Sequence, residues 1–194
     1  MKTIKIKAYT FDELSKEAKE RAVEEHREIN VNYEWWGFIL DEWKQKLESL
    51  GYQKPEIYFS GFWSQGGGAC FTASVNILKW IEKHKAKTRF RKLYQEIESG
   101  AWAEIKIIHQ SHYYYSTSTV IECGGHEELS EKAYKQLEEI ADWIGEERER
   151  LGNKIYKELE KVYNYLLSDE AVIDTIRVND YLFLENGSRS FCLN

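Results

Sequence analysis

The stretch "YFSGFWSQGGGACF", Tyr58–Phe71, sets Gly66, Gly67 and Gly68 behind a Ser64–Gln65 pair and two aromatic residues, Phe62 and Trp63. Glycine-rich runs serve several chemistries, and each makes a demand that can be checked. A phosphate-binding P-loop needs a lysine and a hydroxyl after the last glycine, to neutralise terminal phosphates and hold magnesium; here Ala69 and Cys70 follow. A dinucleotide fingerprint opens a helix, whereas Phe71, Ala73, Val75 and Ile77 alternate with polar residues, as a strand does. A nucleophile elbow needs glycines two residues either side of its serine. Gly66 stands two residues after Ser64, but Gly61 stands three before it, so the pair does not have that spacing, and no partner base is identified. No catalytic residue is assigned.

What remains is a hairpin connection whose glycines take backbone angles other residues avoid. Turn geometry does not account for Phe62, Trp63, Ser64 and Gln65, which are costly at a loop tip unless they touch something. Adjacent glycine amides can form an anion-binding nest, Trp63 can stack a planar ring, and Gln65 can pair with its edge. Phe62 to Gly68 are therefore candidate ligand- or partner-binding residues.

His109 and His112 lie three apart in the stretch "WAEIKIIHQSHYYYSTSTVIE", where a strand would point them to opposite faces. A shared metal is not expected, and no other ligand set or cofactor motif stands out. His112 with Tyr114, Ser116 and Ser118 would line one sheet face, Tyr113, Tyr115, Thr117 and Thr119 the other. His112 and Tyr114 join the candidate binding surface. Cys70, Cys123 and Cys192 show no CxxC spacing, which suggests neither a disulfide framework nor a zinc ribbon and fits a reducing compartment.

The elements that must position these groups follow from periodicity. Ile4, Ile6 and Ala8 alternate with lysines as a first strand. Thr10 and Glu13 have capping-box spacing before a thin helical stripe of Leu14, Ala18, Ala22 and Ile29. Asn32 can cap a second helix running from Trp36 to Leu50 and ended by Gly51. "EIYFSGFW" and the run after the glycines form a hairpin, and one helix is expected from about Leu78 to Ser99. The tyrosine-rich stretch is too long for one strand and should fold back. From Ser130 to Leu167 apolar residues keep nearly a seven-residue rhythm, giving a long helix with a break expected near Gly145 or Gly152. Ser168 caps a short last helix, and "YLFLENGSRSF" closes as a strand with an Asn-Gly turn. Hairpins between helices predict an α+β fold: an antiparallel or mixed sheet with helices packed on it and a long C-terminal helix. The whole chain, 1–194, reads as one domain.

The net charge of -6 argues against non-specific binding of a nucleic-acid backbone, and the basic run "KHKAKTRFRK" reads as solvated surface. The N-terminus lacks the apolar stretch of a signal peptide, and no stretch approaches the ~20 apolar residues of a membrane span. A cytoplasmic protein is expected.

Jointly, "YTFDELSKEAKERA", "NYEWW", "IYFSGFWSQGGGACF", "SHYYYS" and "YLLSDEAVIDTIRVNDYLFLENG" resemble a family of phage and prophage proteins labelled antitoxin of a toxin–antitoxin stability system. The similarity runs from the first strand nearly to the end. It implies a mobile-element protein in a bacterial cytoplasm and carries over no catalytic residue. The family's loop reads Ser-Gln-Gly-Asp-Gly-Ala, and Gly67 stands here at the acidic position. The expected function is neutralisation of a bacterial host or defence-system protein by contact, or binding of a small nucleotide-like ligand. A DNA-imitating acidic surface is one form of it. The alternative is a small enzyme acting on a nucleotide or phosphodiester, with loop amides holding an anion and His112 as acid or base. The long helix serves a homodimer as readily as it covers the sheet.

Overall fold

The computed structural model describes residues 6–62 and 66–189. In chain order its elements are β1 (Tyr9–Thr10), α1 (Lys16–Glu25), α2 (Gly37–Leu50), β2 (Tyr52–Ser60), β3 (Gly68–Val75), α3 (Ile77–Lys83) and α4 (Arg91–Glu98). β4 (Glu104–His109), β5 (Thr119–Gly124), α5 (Glu131–Leu166), α6 (Asp169–Val178) and β6 (Leu182–Phe183) follow. The fold is α+β, with antiparallel sheets and a long helix near the C-terminus, as the alternating and helical periods predict. Contacts gather the chain into two compact units, residues 36–160 and residues 1–35 with 161–194.

The larger unit holds a four-stranded sheet in the order β2-β3-β4-β5, antiparallel throughout. Ala73 lies opposite Ile107 and Ser74 opposite Lys106, so the buried residues of both strands share one face. Phe71, Ala73, Val75, Ile105 and Ile107 are buried on that face. Tyr52, opposite Val75, faces the same way and reaches α5. α5 sends Leu137, Ile140, Ile144, Leu151, Ile155 and Leu159 inward at three- and four-residue steps. Its 36 residues run unbroken through Gly145 and Gly152, a length of ~54 Å at ~1.5 Å per residue. The expected break is absent because two isolated glycines cost only about 1 kcal/mol each, far less than the packing of the stripe returns.

Three further expectations are corrected. The helix expected over 78–99 is two helices, because α3 ends in a Schellman motif: Lys85 turns left-handed (φ 53°), and the amides of Lys85 and Ala86 bond back to Glu82 and Ile81. The basic run therefore lies largely on the connection. Asn32 caps nothing, since α2 starts at Gly37 after the turns that follow α1. Only Tyr9–Thr10 pairs as the first strand; Ile6 to Ala8 are unpaired and Ile4 lies outside the described residues.

The smaller unit buries Phe11, Leu14, Ala18, Ala22, Val23, Val172, Ile176 and Phe183 together. Ser15 caps α1 and Ser168 caps α6, each accepting from the amide three residues on. Glu13 accepts from the amide and hydroxyl of Thr10 at 2.8 and 2.9 Å, but this closes a 3₁₀ turn ahead of the helix. β1 pairs with β6, and Arg177 of α6 donates to Asp12 at 2.7 Å.

Candidate functional site

The two hairpins of the larger unit end side by side. Ser60 lies opposite Gly68 at the mouth of the first, and its hydroxyl donates to Gly66 O at 2.6 Å. His109 lies opposite Thr119 at the mouth of the second. A Cβ on Gly68 would stand 2.9 Å from both Tyr114 O and Tyr115 Cα, so only a glycine lets the second tip approach β3. Gly66, at φ +122°, faces Tyr113 and Tyr115, and a Cβ on Gly67 would stand 2.6 Å from the Tyr156 hydroxyl. The glycines thus let neighbouring chain approach closely, a role their spacing did not disclose.

The tyrosine-rich segment between β4 and β5 is a loop, not a strand, and the expected sheet face of His112, Tyr114, Ser116 and Ser118 is corrected accordingly. Side chains outcompete the ladder locally. Ser111 Oγ accepts from Tyr113 N at 3.1 Å and Ser118 Oγ from Tyr115 N at 3.0 Å, while Gln110 and Ser118 close the turn through their backbone. His112 is exposed, and the side chains that reach Gly66 are Tyr113 and Tyr115 instead. Tyr114 turns the other way, onto Tyr58 and His109, with ring centroids at 5.7 and 5.3 Å. Tyr113 and Tyr115 are 57 and 38 % exposed.

Phe62 packs between Phe59 and Tyr156, at 6.2 and 5.4 Å, and Phe59 meets Trp36 edge-on at 5.6 Å. Trp63, Ser64 and Gln65 lie outside the described residues.

α5 braces both tips from below. A Cβ on Gly152 would stand 2.6 Å from Ala69 O and 3.1 Å from Ser116 Cβ, so the helix backbone lies directly against β3 and the tyrosine loop. One turn earlier, Arg148 Nη1 donates to Ser116 O at 3.1 Å and to Thr119 Oγ1. Burial holds this guanidinium below its usual range, and its Nε is the one buried side-chain polar atom without a partner among the described residues. Burial pushes the Cys70 thiol up to about 11, with Arg148 opposing, so Cys70 is no nucleophile at neutral pH.

A second constellation went unseen in the sequence. Glu147 is 5 % exposed. It accepts from Tyr52 Oη at 2.7 Å and Trp80 Nε1 at 3.1 Å, and meets His84 Nε2 at 3.1 Å. Burial, reinforced by the Glu147 carboxylate, pushes the Tyr52 phenol well up. The His84 ring stacks on Trp80 at 3.9 Å, with its Nδ1 2.8 Å from Trp80 O. Every partner is engaged, so the cluster ties β2 and α3 to α5 and offers no open chemistry. Its signal was available: Glu147 and Arg148 sit three and four residues after Ile144, and four and three before Leu151, on the apolar stripe.

Among the described residues no group of three or more His, Cys, Asp or Glu could hold a metal ion, and no helix is long and apolar enough to cross a membrane. No curated protein and no solved structure matches the chain. A family model, Domain of unknown function (DUF8835), matches residues 35–169, a span that contains both hairpins and all of α2 to α5. The chain belongs to that family.

Proposed function

We propose that this is a binding protein, carried by a phage or other mobile element, that neutralises a protein of its bacterial host by contact through the paired hairpin tips. The observation that carries the reading is exposed aromatic area held on a fixed support. Tyr113 and Tyr115 present their rings to solvent while Gly68, Gly152 and Arg148 fix the backbone beneath them. Tyrosine supplies contact area at low conformational cost, and rigid support reduces what is lost on binding.

An enzymatic reading would need His112 to converge with the glycine run, and tyrosines occupy that place. The resemblance to phage and prophage antitoxin-labelled proteins supports the choice of partner. The test is affinity capture from bacterial lysate with the wild type and with a Tyr113→Ser/Tyr115→Ser variant. A stoichiometric protein retained by the first and lost by the second, with both equally folded, is expected. Equal capture by both, or capture of nothing, refutes the proposal.

A further inference from the structure

Resting on that reading, we infer that the other side of the second tip is an arginine-binding platform made by Tyr58, His109 and Tyr114 with Glu56. The partner it fits is a protein segment bearing an exposed arginine. Tyr58, on β2, and Tyr114, on the loop, have planes within 13° of each other and centroids 5.7 Å apart. His109, at the end of β4, stands 5.8 Å from the first and 5.3 Å from the second, tilted by 29 and 32°. Near-parallel planes at these separations are offset-stacked, so the three rings form one stacked cluster, each ring partly exposed.

The chemistry of the cluster is that of a cation receptor. Tyrosine faces carry the negative end of the ring quadrupole. Glu56 is exposed, and its Oε2 accepts from the Tyr58 hydroxyl at 2.6 Å, which leaves Oε1 for a second donor at the cluster's edge. The His109 Nε2 faces Tyr113 O, a pure acceptor, at 3.0 Å, so Nε2 carries the proton and donates. In the neutral ring Nδ1 is then an acceptor. A planar guanidinium can stack on an exposed ring face of the cluster and direct its N–H groups to Glu56 Oε1 and His109 Nδ1. A lysine ammonium has no plane to stack. The net charge of -6 draws basic segments and disfavours anions such as nucleotides.

The experiment titrates the full chain with hexa-arginine, hexa-lysine and AMP, read by NMR shifts of the Tyr58, His109 and Tyr114 rings. Hexa-arginine should shift these three rings and bind about fivefold tighter than hexa-lysine, the scale of one exposed cation–π contact. Glu56→Gln, at an exposed side chain, should erase most of that preference, Tyr58→Leu should do the same, and Tyr58→Phe should retain it. Because Glu56→Gln leaves the core intact, the test stands even where Tyr58→Leu disturbs the fold. Equal binding of the two peptides, shifts confined to other residues, or ring shifts with AMP alone would overturn the platform. Tyr113- and Tyr115-dependent capture of a host protein without arginine preference would overturn this inference and leave the proposed function standing; failure of that capture removes both.

Discussion

Two glycines on one helix should respond oppositely to the same substitution. Alanine favours a helix interior over glycine by about 1 kcal/mol. At Gly145 the nearest atom to an added methyl is Ile121 Cγ1 at 4.0 Å, ordinary contact, so Gly145→Ala should stabilise by about 0.5–1 kcal/mol. At Gly152 the methyl would stand 2.6 Å from Ala69 O and 3.1 and 3.3 Å from Ser116 Cβ and Cα. A carbon approaches a carbonyl oxygen no closer than about 3.3 Å, so backbone on β3 or α5 must move. Overpacking of this kind costs about 1–3 kcal/mol, and two of the three obstacles are backbone atoms, which places it at the upper end. Less the propensity gain, Gly152→Ala should destabilise by about 2 kcal/mol. Thermal scans at ~2–4 °C per kcal/mol should show Gly145→Ala rising by a few degrees and Gly152→Ala falling by about 4–8 °C. A Gly152→Ala variant at least as stable as the wild type would refute the close approach of α5, and with it the bracing of the tips.

Other perturbations follow from the same contacts. Glu147→Ala strands the Tyr52 hydroxyl and Trp80 N–H in the core and should cost about 3–5 kcal/mol by urea unfolding. The amide and hydroxyl of Ser130 hold the Glu96 carboxyl at about 2 against an ordinary 4.5. A depressed carboxyl contributes fully above its unfolded value and loses its contribution as pH falls through the folded one. The wild type should therefore lose stability between about pH 4.5 and 2, and Glu96→Gln should lose less over that window in acid titrations followed by circular dichroism. Phe38, 76 % exposed on the first turn of α2, should accept serine within about 0.5 kcal/mol, read as an unchanged urea midpoint. Cys70 should resist iodoacetamide at pH 8 until the chain is unfolded.

The hairpins, the α+β class and the long helix were legible because each rests on a period that burial must respect: alternation at Phe71–Val75 and three-four spacing at Ile140–Leu159. The end of α3 was not, because Lys85 takes the left-handed position that a glycine would have announced. Nor was the loop at Tyr113–Thr117, where β propensity pointed to a strand but Ser111 and Ser118 drew the backbone into turns. At the candidate site, the expected turn angle holds for Gly66, whereas Gly67 and Gly68 serve close approach, which their spacing did not announce. The sequence named Tyr114 with the wrong companion, His112 rather than His109, because side-chain parity assumed a strand that stops at position 109. Arg148 and Glu147 were hidden among the other charges of α5, although their place on its apolar stripe set them apart.

The most direct test of the proposed function is site-directed photo-crosslinking in bacterial cells. Benzoylphenylalanine at position 113 should give one discrete crosslinked host protein, and the same probe at position 38, also exposed, should not. Crosslinking of the same partner from position 38, or none from position 113 in a folded protein, would contradict the account of the hairpin tips as its contact surface.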